Sequence, residues 1–275
     1  MNDFTPPDDV QNYYATFPEE ERLSSGASQL ERDRTMDVLT RVLPAPPCRV
    51  VDVGGAAGVY SLWLAERGYE VHLVDASPRL IEEARSRSAR ATAPIASISV
   101  GDARQLPRPD ESAEAVLVMG PLYHLTDASD RVLALREALR VLAPGGVLIA
   151  AAVSRFASAM DGFARNRTGD PAFRAMRDRD LADGQHRNPS GHPEYFTTAY
   201  FHRPEDLVHE LTAAGFRDVV VLGVEGPAWI LSQLDRVWND EVLRKDLLAV
   251  TRVLEREPSI IGASAHLLGI GTKAG

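Results

Sequence analysis

The chain has 275 residues, enough for one large domain or a domain carrying substantial insertions. A net charge of −9 argues against a protein that tracks nucleic-acid phosphates, and the longest apolar runs fall short of the roughly 18 residues of a membrane span, so a soluble cytoplasmic monomer or homodimer is expected. Cys48 is the only cysteine, which excludes an intramolecular disulfide and a cysteine-rich zinc site; just before an apolar strand, it reads as an inert buried thiol.

Taken in order, residues 1–10 are polar, acidic and Pro-containing, unlike a signal or transit peptide, and residues 1–12 are expected to be disordered until something docks them. From residue 13 to 43 the spacing of Leu30, Met36, Val38, Leu39, Val42 and Leu43 predicts helix, stopped by Pro44, Pro46 and Pro47. Tyr13 and Tyr14 at its entrance either cover a cofactor pocket or pin the N-terminus, and Arg34 reads as part of a solvated helix face. Residues 50–53 form a β-branched run expected to be a buried parallel strand. It ends in Gly54-Gly55-Ala56-Ala57-Gly58, after which a helix is expected over 60–67. Such a turn lets backbone approach a ligand and aims helix N-terminal N–H groups at it.

A second strand is predicted over 70–75, a helix over 79–90, and a third strand over 95–100 followed by Gly101-Asp102-Ala103. A fourth strand over 114–119 closes with Gly120-Pro121, a helix spans 130–142, and a fifth strand spans 147–153. This alternation means right-handed βαβ units, a doubly wound, mostly parallel sheet, and a ligand crevice at the carboxyl ends of the strands. Gly54 to Gly58, Asp75, Asp102 and Met119-Gly120 should therefore line one crevice.

Beyond residue 153 the rhythm breaks into helical pieces over 156–165 and 171–183 and a Gly/Pro/His-rich loop. A helix over 204–214, a strand over 217–224, helix over 227–257 and a last antiparallel strand over 266–271 complete the chain. The expected organisation is an N-terminal helical lid segment (1–44), a nucleotide-type core (45–153), a lid and substrate insertion (154–203), and a return to the core (204–275) that carries the helical insertion 227–257.

The spacing Asp52-x-Gly54-x-Ala56-x-Gly58 departs from the G-x-G-x-x-G dinucleotide fingerprint, which disfavours an NAD-type oxidoreductase. Together with residues 73–77, 101–103 and the Leu142-x-Pro144-Gly145-Gly146 turn, it resembles the class I S-adenosylmethionine (SAM)-dependent methyltransferases, especially the ubiquinone/menaquinone-type C-methyltransferases. The resemblance is strong over 45–153 and weak over 204–224 and 265–273; Ala56 stands where the family has its middle glycine. It implies a Rossmann-like sheet of seven strands with the last antiparallel, SAM as cofactor, S-adenosylhomocysteine as product, and a small-molecule acceptor methylated on oxygen, nitrogen or carbon. A non-catalytic SAM-binding regulator is the rival from another class.

Carried onto this chain, the resemblance makes Tyr14, Asp52, Gly54, Gly55, Ala56, Gly58, Asp75, Ala76, Ser77, Asp102, Ala103, Met119, Gly120 and Leu122 the cofactor set. Within it Asp52 faces the cationic methionine end, Asp75 grips the ribose diol unless it caps the next helix instead of Ser77, and Asp102 with the Ala103 N–H reads adenine. His124 is the candidate general base, with Tyr123 as pocket wall or donor; the structural alternative is a histidine bonded to backbone below the pocket. His186, His192, Tyr195 and Tyr200 are the candidate substrate residues. His186, His192 and His202 share no metal-ligand spacing, so no metal is expected. Arg155 and Arg187 would suit an acidic acceptor group, or serve as surface charges.

Overall fold

The computed structural model describes residues 8–16, 22–23 and 26–275, so the expectation of disorder over 1–12 lies partly outside the described residues. Residues 8–12 belong to a helix, α1 (Asp8–Thr16), which docks on the body through Tyr14. After α2 (Ala27–Val42), the predicted rhythm follows closely: β1 (Arg49–Val53), α3 (Val59–Ala65), β2 (Glu70–Asp75), α4 (Pro78–Ala89), β3 (Ser97–Val100), β4 (Ala113–Val118), the single turn α5 (Pro121–His124), α6 (Ala128–Val141) and β5 (Leu142–Ser154). An insertion contributes α7 (Ala157–Ala164), α8 (Pro171–Asp183), β6 (Gln185–His186) and β7 (Ala199–His202). Then come α9 (Pro204–Ala214), β8 (Arg217–Gly223), α10 (Leu234–Asn239), α11 (Glu241–Leu254) and β9 (His266–Thr272).

Among the described residues the sheet has nine strands; seven of them run in the order β3-β2-β1-β4-β5-β9-β8, parallel except for β9, and β7 with β6 pairs onto the end of β5. Alternate side chains divide between its faces, as the period of two demands. Val51 and Val53 of β1 join Val116 and Val118 of β4 in the core beneath α6 and α9. Val50, Ala115 and Leu117 point the other way, against Leu39 of α2, Leu64 of α3 and Ile81 of α4. Both faces of β1 and β4 are covered, which is why Val50, Val51 and Val53 and the run Ala115 to Val118 are apolar, with Asp52 the buried exception.

The sequence predicts a loop where β6 and β7 form a short hairpin, because two- and four-residue strands carry too few positions for a period. Its placement follows from pairing. β9 occupies one edge of β5 from Val147 to Val153, so β7, pairing at Val153–Phe201 and Ser154–His202, takes the edge that β4 leaves after Ala150. The insertion therefore sits over the carboxyl end of β4. The span 227–257 is a 3-10 turn and two helices rather than one run; Asp240 ends α10 and its carboxylate accepts the Val242 and Leu243 N–H groups at 2.9 and 3.1 Å to start α11. Among the described residues no helix is long and apolar enough to cross a membrane.

Charges fasten α2 to this C-terminal insertion. Arg34 is 1% exposed, which overturns its reading as a solvated residue: it pairs with the Glu255 carboxylate, with Asp37 at 2.5 Å, and donates to the Val224 carbonyl at 3.3 Å. Arg41 also grips Glu255, at 2.7 and 2.8 Å. Nearby, Glu31 holds Arg22 at 2.6 Å, and Glu225 holds His266 Nδ1 at 2.6 Å. Burial opposes the His266 charge, but Glu31 and Glu225 raise its pKa to about 9, so the cluster is ionic at neutral pH. Cys48 is buried, and burial pushes its thiol up to about 11.

Removing one partner of a buried ion pair leaves the other charge uncompensated. Glu255→Gln is expected to lower stability in urea unfolding by about 3–5 kcal/mol, and the double replacement of Arg34 and Glu255 by Met and Leu to cost clearly less. Equal losses in both variants would show that the network does not act as a coupled unit.

Candidate functional site

The turn after β1 is built on backbone constraints. Gly54 donates its N–H to the Val74 carbonyl at 2.8 Å and has φ +74°, and a Cβ there would lie 2.5 Å from Pro121 Cδ. Glycine is thus needed both for conformation and for contact with α5. Ala56 has φ 50°, a left-handed conformation that costs an L-residue about 1–2 kcal/mol. Its N–H donates to Asp75 Oδ2 at 2.9 Å, while Oδ1 accepts the Ser77 N–H at 2.8 Å. Burial raises the Asp75 pKa, and the two N–H bonds work against that. Ser77, not Asp75, caps α4, accepting the Leu80 N–H at 3.4 Å, so Asp75 is committed to the turn.

Asp52 is placed differently from its expected position. It shares the face of Val50, and its fully buried carboxylate lies beneath Gly55, where a Cβ would meet it at 2.5 Å. Oδ2 accepts the Ser61 hydroxyl at 2.7 Å, and Oδ1 has no hydrogen-bond partner among the described residues. Burial pushes its pKa up to about 6, against the Ser61 bond and with help from Asp75.

At the carboxyl ends of β1 to β4 lies a cavity of about 870 Å³, within the roughly 300–1,000 Å³ usual for small-molecule and cofactor sites. Of the expected cofactor set, Tyr14, Gly54, Ala56, Asp75, Ala76, Ser77, Asp102, Ala103, Met119 and Gly120 line it, as do Tyr123 and His124. Asp52, Gly55, Gly58 and Leu122 do not: Asp52 lies beneath Gly55, Gly58 backs onto Leu73, Ala84 and Ile95, and Leu122 is fully buried in the core under α6. Sequence reasoning missed Arg79, Arg104, Thr126 and Asp130, and the Val10, Gln11, Asn12 and Ala15 wall that α1 provides. The helix is short, with nine residues, and begins in a polar, acidic stretch that reads as an unstructured N-terminus.

Asp102, 18% exposed, is gripped by Arg104: Oδ1 accepts its backbone N–H and Nε at 2.8 and 2.9 Å, and Oδ2 accepts Nη2 at 2.9 Å. Arg104 also donates Nη1 to Asp130 at 2.7 Å, tying the end of β3 to the first turn of α6.

His124 stands above the end of β4. Its Nδ1 lies 3.3 Å from the Thr198 carbonyl, which can only accept, so Nδ1 carries the proton. Nε2 then accepts the Tyr14 hydroxyl at 2.8 Å. Burial lowers the His124 pKa to about 4, outweighing the Thr198 bond and the field of Asp9, so the ring is neutral across physiological pH. Thr198 also bonds the Asp9 carboxylate, and Phe196 packs on both Tyr13 and His124. The alternative of a histidine hydrogen-bonded to backbone thus holds for one nitrogen, while the ring still lines the cavity.

The four residues expected to bind substrate do not line the cavity. His186 is buried between Asp180, at 2.9 Å, and the Tyr195 carbonyl, at 2.7 Å, and stacks on Phe201. Tyr195 bonds Asp170 at 2.5 Å and packs on Phe173. His192 is exposed and accepts the Glu194 N–H. The Tyr200 ring lies 3.7 Å beneath the Arg131 guanidinium. All four pin the insertion to itself or to α6. Arg155 and Arg187 are likewise internal, bonding the Phe201 and the Ala199 carbonyls respectively.

Comparison with known proteins points to one family. Residues 50–146 match the methyltransferase domain family. An uncharacterized methyltransferase of Mycobacterium tuberculosis is 32% identical over 206 residues, covering 71% of this chain and 74% of that protein. The demethylmenaquinone methyltransferase of Beutenbergia cavernae is 35% identical over 132 residues, 48% of this chain and 50% of that protein. A solved SAM-dependent methyltransferase from Methanosarcina mazei superposes with a TM-score of 0.58 at 18% identity, over 86% of this chain and 97% of that one, a likeness of fold.

The depressed pKa of His124 has a measurable sign. Between the ordinary value near 6.5 and the folded value of about 4, the unfolded chain binds a proton that the folded chain does not. Stability should therefore be complete above pH 6.5 with respect to this group and fall as pH drops toward 4. An imidazole C–H resonance titrating near 4 checks the assignment; a midpoint near 6.5 would show a ring open to water.

Proposed function

The chain belongs to the class I SAM-dependent methyltransferases, and from that premise we propose that it methylates a small molecule held between the carboxyl ends of the strands and a lid made of its N-terminal segment and residues 154–203. One observation carries the reading: Gly54 and Ala56 after β1, Asp75 at the end of β2, Asp102 after β3 and Met119 after β4 share one cavity with His124 and Tyr14. The residues suit the cofactor chemically. Asp75 keeps lone pairs beyond its two N–H bonds, as a vicinal diol requires, and Asp102 with Ala103 lies one strand farther out, where adenine would extend. The orphaned Oδ1 of Asp52 puts negative potential under the turn, which favours a cationic methionine end without touching it. When bound, SAM supplies a methyl group on a positively charged sulfur and leaves as S-adenosylhomocysteine.

The protein's remaining task is to exclude water, orient the acceptor and take a proton where one must leave. Helix α1 closes the cavity over Tyr14, which is why a compact acceptor fits better than a polymer. An acceptor proton can pass to Tyr14 Oη as the Tyr14 proton moves to His124 Nε2, with the Thr198 carbonyl steadying the imidazolium through Nδ1–H. His186, His192, Tyr195 and Tyr200, which lie outside the cavity, are given no part in this scheme. The same chemistry serves oxygen, nitrogen or an acidic carbon, and the acceptor atom is decided by what fits beside Tyr14 and Tyr123.

Calorimetry should show binding of SAM and S-adenosylhomocysteine but not NAD; binding confined to NAD would sink the proposal. Asp75→Ala is expected to weaken S-adenosylhomocysteine binding by about 10–100-fold. In an acceptor screen with labelled SAM, His124→Ala should lower turnover by roughly 10²–10⁴-fold while leaving cofactor affinity near wild type. Full turnover in that variant would reject the base and leave His124 as a lid contact.

A further inference from the structure

Asp102 has almost no hydrogen-bonding capacity to spare. A carboxylate offers about four lone-pair sites. The parallel contacts of Arg104 Nε with Oδ1 and Nη2 with Oδ2, both at 2.9 Å, use the two that face a guanidinium fork, and the Arg104 backbone N–H at 2.8 Å uses a third. What remains is one site, on Oδ2. The fork also fixes the plane of the carboxylate, and Arg104 is itself fixed by Asp130 at 2.7 Å. The Arg104 side chain is 10% exposed, so water screens little of this. All three residues line the cavity.

We infer that Arg104 is a positioning residue that makes the base subsite selective for an exocyclic amino group, by reducing Asp102 to a single, rigidly aimed acceptor. The inference rests on the reading of this cavity as a SAM site with Asp102 toward adenine. A 6-amino base presents an N–H donor to that remaining lone pair. A 6-oxo base presents an oxygen in the same place, lone pair against lone pair, and the carboxylate cannot turn away because three donors hold it. Without the Arg104 side chain the Asp102 carboxylate keeps only the backbone N–H of residue 104 on Oδ1, so it can rotate about Cβ–Cγ and admit a bridging water, and would tolerate either base. The loss of the cation would also leave Asp102 and Asp130 facing each other across the cavity wall without a charge between them, which lowers affinity for either ligand without favouring one.

The test is calorimetry on the full chain with two ligands that differ at one position, S-adenosylhomocysteine and its 6-oxo analogue S-inosylhomocysteine. The wild type should prefer the amino form by about 100-fold or more, because the oxo form leaves a buried acceptor unpaired. Arg104→Ala should bind S-adenosylhomocysteine about tenfold more weakly and hold a preference below about tenfold. Arg104→Lys keeps the charge but not the fork, and should fall between them; it also stands in if the alanine variant does not fold. A preference unchanged in both variants, whatever the loss of affinity, overturns the inference and makes Arg104 a structural tie between β3 and α6. If the wild type binds neither ligand, the SAM-site reading itself fails.

Discussion

The two N–H groups held by the Asp75 carboxylate are the contact on which the site depends. One comes from Ala56, at the crest of the turn after β1, and the other from Ser77, at the start of α4. The first holds a left-handed alanine in a conformation it would otherwise leave, offsetting about 1–2 kcal/mol of backbone strain. The second sets the exit of β2. A single side chain therefore fixes the relative position of two strand ends and two helix N-termini, and so the mouth of the cavity. Gly54 adds the third wall, because its missing Cβ lets the turn touch Pro121 and brings α5, with Tyr123 and His124, over the same opening.

Above that opening, the two covering pieces meet on one imidazole. Tyr14 arrives from α1 and Thr198 from the segment before β7, and they take the two nitrogens of His124. The sheet makes this meeting possible: with β9 on one edge of β5, the hairpin can extend only over β4, where α5 begins. Arg131 strengthens the arrangement from behind. It pairs with Glu210, lies over Tyr200, and donates to the Leu125 and Thr126 carbonyls at 2.9 and 3.0 Å, holding the segment that follows His124.

Most of the sheet was legible in the sequence because the chain punctuates it locally. Val50 to Val53 and the Glu70–Asp75 strand are short β-branched or apolar runs bounded by glycine or proline, and their ends landed within a residue or so of expectation. The strand-end stations of the cavity followed, since parallel sheets put their loops there. Side-chain partners made by distant parts of the chain were not legible. Arg34 looks solvated until Glu255, more than two hundred residues later, folds onto it. His186, His192, Tyr195 and Tyr200 look like a polar lining, yet Asp180 and Asp170 hold His186 and Tyr195 within the insertion's own framework and Arg131 of α6 holds Tyr200. Arg104 had a local signal, two residues after Asp102, but its second partner, Asp130, lies across the cavity.

The position of Asp52 refines what a carboxylate before a glycine turn accomplishes. It does not line the cavity. It is a buried charge with one unsatisfied oxygen, and its folded pKa of about 6 stands above the ordinary 3.8, so the folded chain binds the extra proton between those values. Stability from this group is consequently lost as pH rises toward 6 and stays lost at neutrality, the opposite sign to His124. A fold carries such a cost most economically where a ligand relieves it. On the proposed reading, a cationic group above the turn is attracted by the Asp52 charge through low-dielectric protein, whereas an anionic pyrophosphate in the same place would be repelled. The turn's glycines admit either ligand; the buried carboxylate beneath them favours the sulfonium cofactor.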